Sequence, residues 1–263
     1  MNTGLSNKVA LIGGASKGLG RGCAIQLAKE GVSVALCARG KNALSETTEY
    51  IRTNTHAKVL PLAVDLSKKE DVKKAVKDTQ ASFGNIDILV VNSGGPKAGT
   101  FFELADQDWE DAYCSVLGYV IELYHLVIPG MKEKQWGRII NIASLAVKEP
   151  AENLVLSNVF RSGVVSLAKT LSRELISHNI TINTICPGAF KTDRAAQLIA
   201  AKAEAVGRSK EEIEAEAVNS LPLKRYQTPE ELGDLVVFLA SDLAKGITGT
   251  TIQIDGGISK GLF

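Results

Sequence analysis

At 263 residues and 45% hydrophobic content, the chain is long enough to bury one sizeable core. Its 30 Lys and Arg against 29 Asp and Glu leave a formal net charge of +1, which offers no basic surface for nucleic acid or for an acidic membrane. The four cysteines show no CxxC spacing, no metal site is expected, and neither a signal-peptide pattern nor a run of ~18 apolar residues is present. These features predict reduced thiols in a cytoplasmic protein without a membrane span.

Strand and helix patterns alternate from one end to the other. Val9-Ala10-Leu11-Ile12 reads as a buried strand and Cys23 to Ala28 as the start of a helix. Val32 to Ala38 is a second strand, followed by a helix from about Lys41 to Thr53 and a strand from Lys58 to Val64. A charged helix, Lys68 to Phe83, leads to the strand Ile86 to Asn92. A long helical region from about Asp106 to Met131 comes next, then the strand Arg138 to Ala143 and a helix from about Asn158 to His178. Thr181 to Ile185, a polar helical stretch from Thr192 to Ser220, a helix from Pro229 to Ala240 and the strand Thr251 to Ile254 complete the order. Near-continuous apolar strands separated by helices predict a single α/β domain over residues 1–263: a doubly wound parallel sheet with helices on both faces, three layers in all.

Leu11 to Gly22 reads LIGGASKGLGRG, so Gly14, Gly18 and Gly20 fall at a strand-to-helix turn, with Ser16, Lys17 and Leu19 between them. Glycine takes positive φ without strain and lets backbone amides approach a ligand. The helix that follows opens with unpaired amides and a positive dipole end, a site for a diphosphate. The spacing lacks the Lys-Ser/Thr pair of a P-loop. A doubly wound sheet binds its ligand at the carboxyl ends of its strands. The segments expected there are the glycine loop, Arg39, Asp65-Leu66, Asn92-Ser93-Gly94, Ser144 and Pro187-Gly188. The second strand ends in Arg39 with no carboxylate, so nothing repels a ribose 2′-phosphate. Arg39 and Lys17 supply cations for it, and NADP(H) is favoured over NAD(H).

Over nearly its whole length the chain resembles the short-chain dehydrogenase/reductase family. The resemblance rests on the glycine motif; Asp65-Leu66; Asn92-Ser93-Gly94; Arg138 to Ser144; Cys186-Pro187-Gly188 with Thr192; and Ile247-Thr248-Gly249 through Asp255-Gly256-Gly257. It implies a Rossmann-type fold, a nicotinamide cofactor, a small-molecule substrate, a dimer or tetramer, and an insert at 190–220 that covers the substrate.

The family's catalytic set is Asn, Ser, Tyr and Lys, and this sequence departs from it. The serine corresponds to Ser144. Thirteen residues on, where the tyrosine belongs, stands Ser157, and four further, in the lysine's place, stands Arg161. The asparagine position corresponds to Ser115, three before Gly118. No tyrosine lies between Ser144 and Ser162. A serine hydroxyl is a poor general acid, whereas arginine stays cationic and keeps a fork of donors that can serve ribose or a substrate carboxylate. Lys148 is a candidate substitute acid, weighed against a solvated lysine paired with Glu149; Tyr119 is a weaker one. The Lys148-Glu149-Pro150 run, with Ser157 and Arg161, resembles a branch of the family lacking the tyrosine and often described as 3-oxoacyl-[acyl-carrier-protein] reductase-like. Three readings stand: hydride transfer through a modified site, a conventional 3-oxoacyl reductase working through Lys148, and a scaffold that binds the cofactor without chemistry. The long helices are expected to pair between copies through Val116, Val120 and Leu123 and through Val164, Leu167 and Leu171.

Overall fold

In the computed structural model, which describes residues 2–262, the first strand sets the architecture. β1 (Val9–Gly13) is buried at every position, so both its faces must be covered. Ala10 and Ile12 point to one layer, with Leu27, Val236 and Leu239. Leu11 points to the other, with Val72, Val120 and Ile139. α1 (Gly18–Lys29), β2 (Ser33–Ala38), α2 (Lys41–Asn54), β3 (Val59–Ala63) and α3 (Lys69–Phe83) carry the chain outward on one side of β1. β4 (Ile88–Val91) then crosses to the other side. It is followed by α4 (Asp106–Ala112), α5 (Tyr119–Lys134), β5 (Gly137–Ile142), α6 (Val155–Leu175), β6 (Ile180–Pro187), α7 (Asp193–Val206), α8 (Lys210–Ser220), α9 (Pro229–Ala240) and β7 (Thr251–Ile254).

The result is a seven-stranded sheet in the order β3-β2-β1-β4-β5-β6-β7. Every pairing is parallel, with Ala10 opposite Val34 and Ile88 at its centre. This is the Rossmann-type three-layer fold that the alternating pattern predicts. Direction reverses between β1 and β4, and a crevice opens at their carboxyl ends, the place such sheets use for ligands.

The region read as one helix from Asp106 to Met131 is continuous but changes hand-hold: a wider π turn at Tyr113–Gly118 joins α4 to α5. Residues 106–134 are long and apolar enough to cross a membrane, with a mean hydropathy of 1.4 over 18 residues. They lie against the sheet instead, with Val120, Leu123, Val127 and Met131 buried, as a core helix. Of the side chains expected at an interface between copies, Val116, Val120, Leu123 and Val164 are buried in the core, and Leu167 and Leu171 are half-buried against it. The apolar side chains left in solvent on this face are Phe101, Phe102, Tyr113 and Val159. Period 3.6 identifies an apolar stripe but not which neighbour covers it, and these helices lie between the sheet and one another. The 190–220 stretch is the hairpin of α7 and α8, turning at Gly207 in the left-handed region (φ 64°).

Candidate functional site

The glycine loop is built for close approach. Gly14 has φ 58°, and a Cβ there would lie 2.6 Å from Asn92 Nδ2. A Cβ on Gly20 would press into the carbonyls of Gly13, at 2.7 Å, and Gly14. α1 therefore starts directly against the end of β1. Lys17, its N-cap residue, makes no side-chain cap, and no acidic residue occupies its first turn. The first amides and the positive end of the dipole are left for an anion. Asn92 ties the loop to β4 by donating Nδ2–H to the Gly13 carbonyl (3.1 Å).

From the loop a cleft of about 380 Å³ runs along the strand ends, lined by Gly14, Ser16, Arg39, Asp65, Leu66 and Asn92, with Ser93, Gly94 and Ser115 closing its far side. Its size suits a dinucleotide-type ligand. Arg39 is exposed at its rim. Burial pushes the Asp65 carboxyl up, but the Ser67 hydroxyl and amide, with Arg39 and Lys68, outweigh it and leave its pKa below the usual value.

Lys17 stands elsewhere. Its ammonium pairs with Asp193 at the start of α7 (3.0 Å), over a second hollow that includes Arg21 and Thr192 and shares Ser16 with the cleft. The Asp193 hydrogen bond and charge raise its pKa. Thr192 packs beside Gly18 and caps α7 by accepting from the Ala195 amide (3.2 Å). Leu19 packs against the core layer beneath the loop. Gly188 has a structural reason: a Cβ there would sit 2.6 Å from Asp255 Cα, and its amide donates to Ile254 beside Pro187 (3.0 Å).

Ser144 lies just after β5, with its Oγ accepting from the Ala146 amide (3.2 Å). Its hydroxyl proton is committed to no partner among the described residues. Ser157 is buried in the first turn of α6 and accepts from Arg161 Nε (3.2 Å). Arg161 Nη1 donates to the carbonyls of Ile142 (3.2 Å) and Ala143 (3.1 Å). The guanidinium is thus bound to the end of β5 rather than facing the cleft beside Arg39. Burial draws its pKa down, opposed chiefly by Tyr119 and then Cys186. It stays cationic and cannot act as an acid.

Ser115 does not present its hydroxyl: Oγ–H donates to Asp111, one turn back in the helix (2.7 Å). What reaches the site is its carbonyl, which accepts from Ser93 Oγ (3.0 Å). Behind Ser93 a void of about 10 Å³ lies between Tyr119, Asn141 and Arg161. Burial pushes the Tyr119 phenol up, partly offset by Ser93 and Arg161.

Lys148 makes no ion pair with Glu149 among the described residues; Glu149 binds the segment after β7 instead. Lys148 lies near Cys186, whose thiol burial pushes up to about 11 against the influence of Lys148, the Ser144 backbone and Arg161. Sequence reasoning missed the Ser93 to Ser115 contact and the Glu149 contacts. The first depends on the π turn, the second on residues more than a hundred positions away.

A family model described as enoyl-(acyl carrier protein) reductase matches residues 14–259. The chain is 33% identical to the 3-oxoacyl-[acyl-carrier-protein] reductase FabG of Staphylococcus epidermidis, over 96% of this chain and 99% of that protein. It is 30% identical to the NADPH-dependent reductase BacG of Bacillus subtilis, over 98% and 100%. Among solved structures, L-sorbose reductase from Gluconobacter frateurii complexed with NADPH and L-sorbose matches with a TM-score of 0.95, 33% identity and full coverage of both chains. Actinorhodin polyketide ketoreductase with NADPH matches at 0.89 and 31%, over 97% and 98%. With its glycine loop, sheet order and strand-end cleft, the chain belongs to the short-chain dehydrogenase/reductase family.

Proposed function

We propose that the protein is an NADP(H)-dependent oxidoreductase that reduces a small carbonyl or conjugated, enone-like compound through a site in which Ser144, Ser157 and Arg161 handle the substrate oxygen. One observation carries this reading. Arg161 occupies one lone pair of Ser157 while anchored to the Ile142 and Ala143 carbonyls at the end of β5, so the Ser157 proton is free to donate. Ser144 is held in the same way by the Ala146 amide. Two hydroxyl protons, each behind an occupied acceptor, suit an oxygen that gains negative charge.

The glycine cradle, the open amides of α1 and the Arg39 rim fit a dinucleotide with a 2′-phosphate, and the relatives described with NADPH support that choice. When bound, the cofactor supplies a hydride. Were a conjugated substrate to accept that hydride at its far carbon, Ser144 and Ser157 would donate to the carbonyl oxygen that gains the electron pair, and water would supply the proton to carbon. An isolated ketone leaves a localised alkoxide that needs an acid at once, and general acid help is worth roughly 10²–10⁴-fold. Ser157 cannot give that help as tyrosine would, so conjugated substrates are favoured. The α7–α8 hairpin covers the substrate side, and the protein works as a homo-oligomer that buries Phe101, Phe102, Tyr113 and Val159.

The test follows NADPH absorbance against a panel of enones, ketones and β-ketoacyl thioesters, for the native protein and for Ser157→Tyr with Arg161→Lys. Enone turnover by the native protein that falls in the double variant is the expected result. Robust ketone or thioester turnover by the native protein overturns it in favour of a conventional reductase, and tight NADPH binding with no turnover favours a scaffold.

A further inference from the structure

After β7 the chain runs along three surfaces bordering the site. It passes Gly188, at the end of β6, with Asp255 in the close contact described above. Gly256 and Gly257, at φ 63° and 84°, then pass Leu223 and Pro222, in the stretch following α8. Asp255 turns the segment by accepting from the Gly257 amide (3.0 Å) and the Ser259 amide (2.8 Å). The segment ends on the loop behind Ser144. There Glu149 Oε1 accepts from Ser259 Oγ (2.6 Å) and from the amides of Lys260 and Gly261 (2.8 Å each). These three donors, the Ser259 hydroxyl foremost, hold the exposed Glu149 carboxyl below its usual pKa.

The far half of the same loop is tied down separately. Asn158 bonds Ala151 in both directions, at 3.3 and 2.9 Å, and the Gly99 amide donates to Asn153 (2.7 Å). The near half, from Ser144 to Glu149, has local turn bonds and the Glu149 contacts. A solvated surface glutamate has no reason to collect three donors from one distant segment.

We propose that Glu149 is a positioning residue: its carboxylate clamps Ser259 to Gly261 onto the loop carrying Ser144 and Lys148. The segment after β7 thereby becomes a wall of the substrate space, joining that loop to the stretch after α8. The assignment rests on the reading above that substrate lies beside Ser144.

Cys186 reports the clamp without any substrate. Its thiol is buried beside Lys148 and the Ser144 backbone, whereas Cys114 is the exposed cysteine and Cys23 and Cys37 are buried in the core. In a Cys114→Ser background, iodoacetamide labelling followed by peptide mass spectrometry measures each thiol. Glu149→Ala and Ser259→Pro are each expected to speed Cys186 labelling at least tenfold, with no further gain when combined. Glu149→Gln, which keeps an acceptor oxygen, restores part of the protection. Cys23 and Cys37 stay unlabelled, and the NADPH Kd stays within twofold. Unchanged Cys186 labelling, additive effects, or equal exposure of Cys23 and Cys37 with loss of NADPH binding overturns the proposal. Failure of the native protein to bind NADPH refutes the cofactor reading instead, and the labelling cycle still decides the clamp.

Discussion

Replacing Arg39 by alanine separates the two cations that the sequence offers to a 2′-phosphate. Arg39 stands at the rim of the strand-end cleft, and Lys17 is engaged by Asp193 over a different hollow. A hydrogen bond to a charged group is worth about 1.5–3 kcal/mol. Arg39 is exposed and partly screened, so the lower end applies, about 1.5 kcal/mol. That is about a tenfold rise in the NADPH Kd. NADH carries no 2′-phosphate, and its affinity is expected to change less than about twofold, within the range of ordinary surface substitutions. Lys17→Ala has to act through loss of an exposed, solvent-screened ion pair and should weaken both cofactors slightly and alike. Isothermal titration of the native protein and both variants with each cofactor, at one salt concentration, measures all six affinities. Equal losses of NADPH and NADH in Arg39→Ala refute the 2′-phosphate argument. A selective NADPH loss in Lys17→Ala shows that the Asp193 pair opens to receive the ligand.

Arg161→Lys alone should lower kcat/KM on the best panel substrate at least tenfold with little change in NADPH Kd, because an ammonium cannot reproduce the planar fork that spans Ser157 Oγ and the Ile142 and Ala143 carbonyls; undiminished turnover argues that only the charge matters. Phe102 is 95% exposed beside Phe101, so Phe102→Glu should shift light scattering from a multiple toward the 28.0 kDa monomer mass, and a native monomer at micromolar concentration contradicts the proposed assembly. Glu231, bonded to Arg225 and to the Thr228 amide, has its pKa drawn down to about 2, foremost by Arg225. A carboxylate whose pKa falls on folding stabilises above its unfolded pKa of ~4.3 and loses that contribution as pH drops toward 2. Discounted for solvent screening, Glu231→Gln should cost about 1 kcal/mol in urea unfolding at pH 7, a difference that narrows below pH 4.

The parts of the site legible in the sequence are those whose chemistry is local. Gly14, Gly18 and Gly20 announce a turn because positive φ and close backbone approach are properties of single residues. Strand alternation likewise gives the sheet and hence the carboxyl-end cleft. Charge partners were not legible. Lys17 finds Asp193 only when the start of α7 folds beside the glycine loop, and Glu149 turns from its neighbour Lys148 to a segment that follows the last strand. Ser115 shows a different limit. A serine in a helix bonds one turn back, so its hydroxyl turns to Asp111 and its carbonyl is what reaches Ser93. A wide apolar stripe is the mark of a helix covered from several sides, and part of that cover is the protein's own core, which buries Val116, Val120, Leu123 and Val164.

In the proposed site, Ser157 and Arg161 work as a pair. Beside a tyrosine, a lysine lowers the phenol's pKa, which has no counterpart for a serine hydroxyl that does not ionise near neutrality. What a serine can gain from a cation is orientation, and orientation calls for a rigid donor. Arginine anchored on the Ile142 and Ala143 carbonyls is such a donor, because its Nε direction follows from the two bonds made by Nη1. The anchor lies at the carboxyl end of β5, the strand that also delivers Ser144, so both hydroxyls are referenced to one rigid element. Removing a single oriented donor from an oxyanion site costs roughly 10²–10³-fold in rate, the same scale as the acid help forgone. A site that exchanges proton transfer for two fixed donors therefore stays competitive where the charge formed is delocalised, and falls behind where it sits on one alkoxide oxygen.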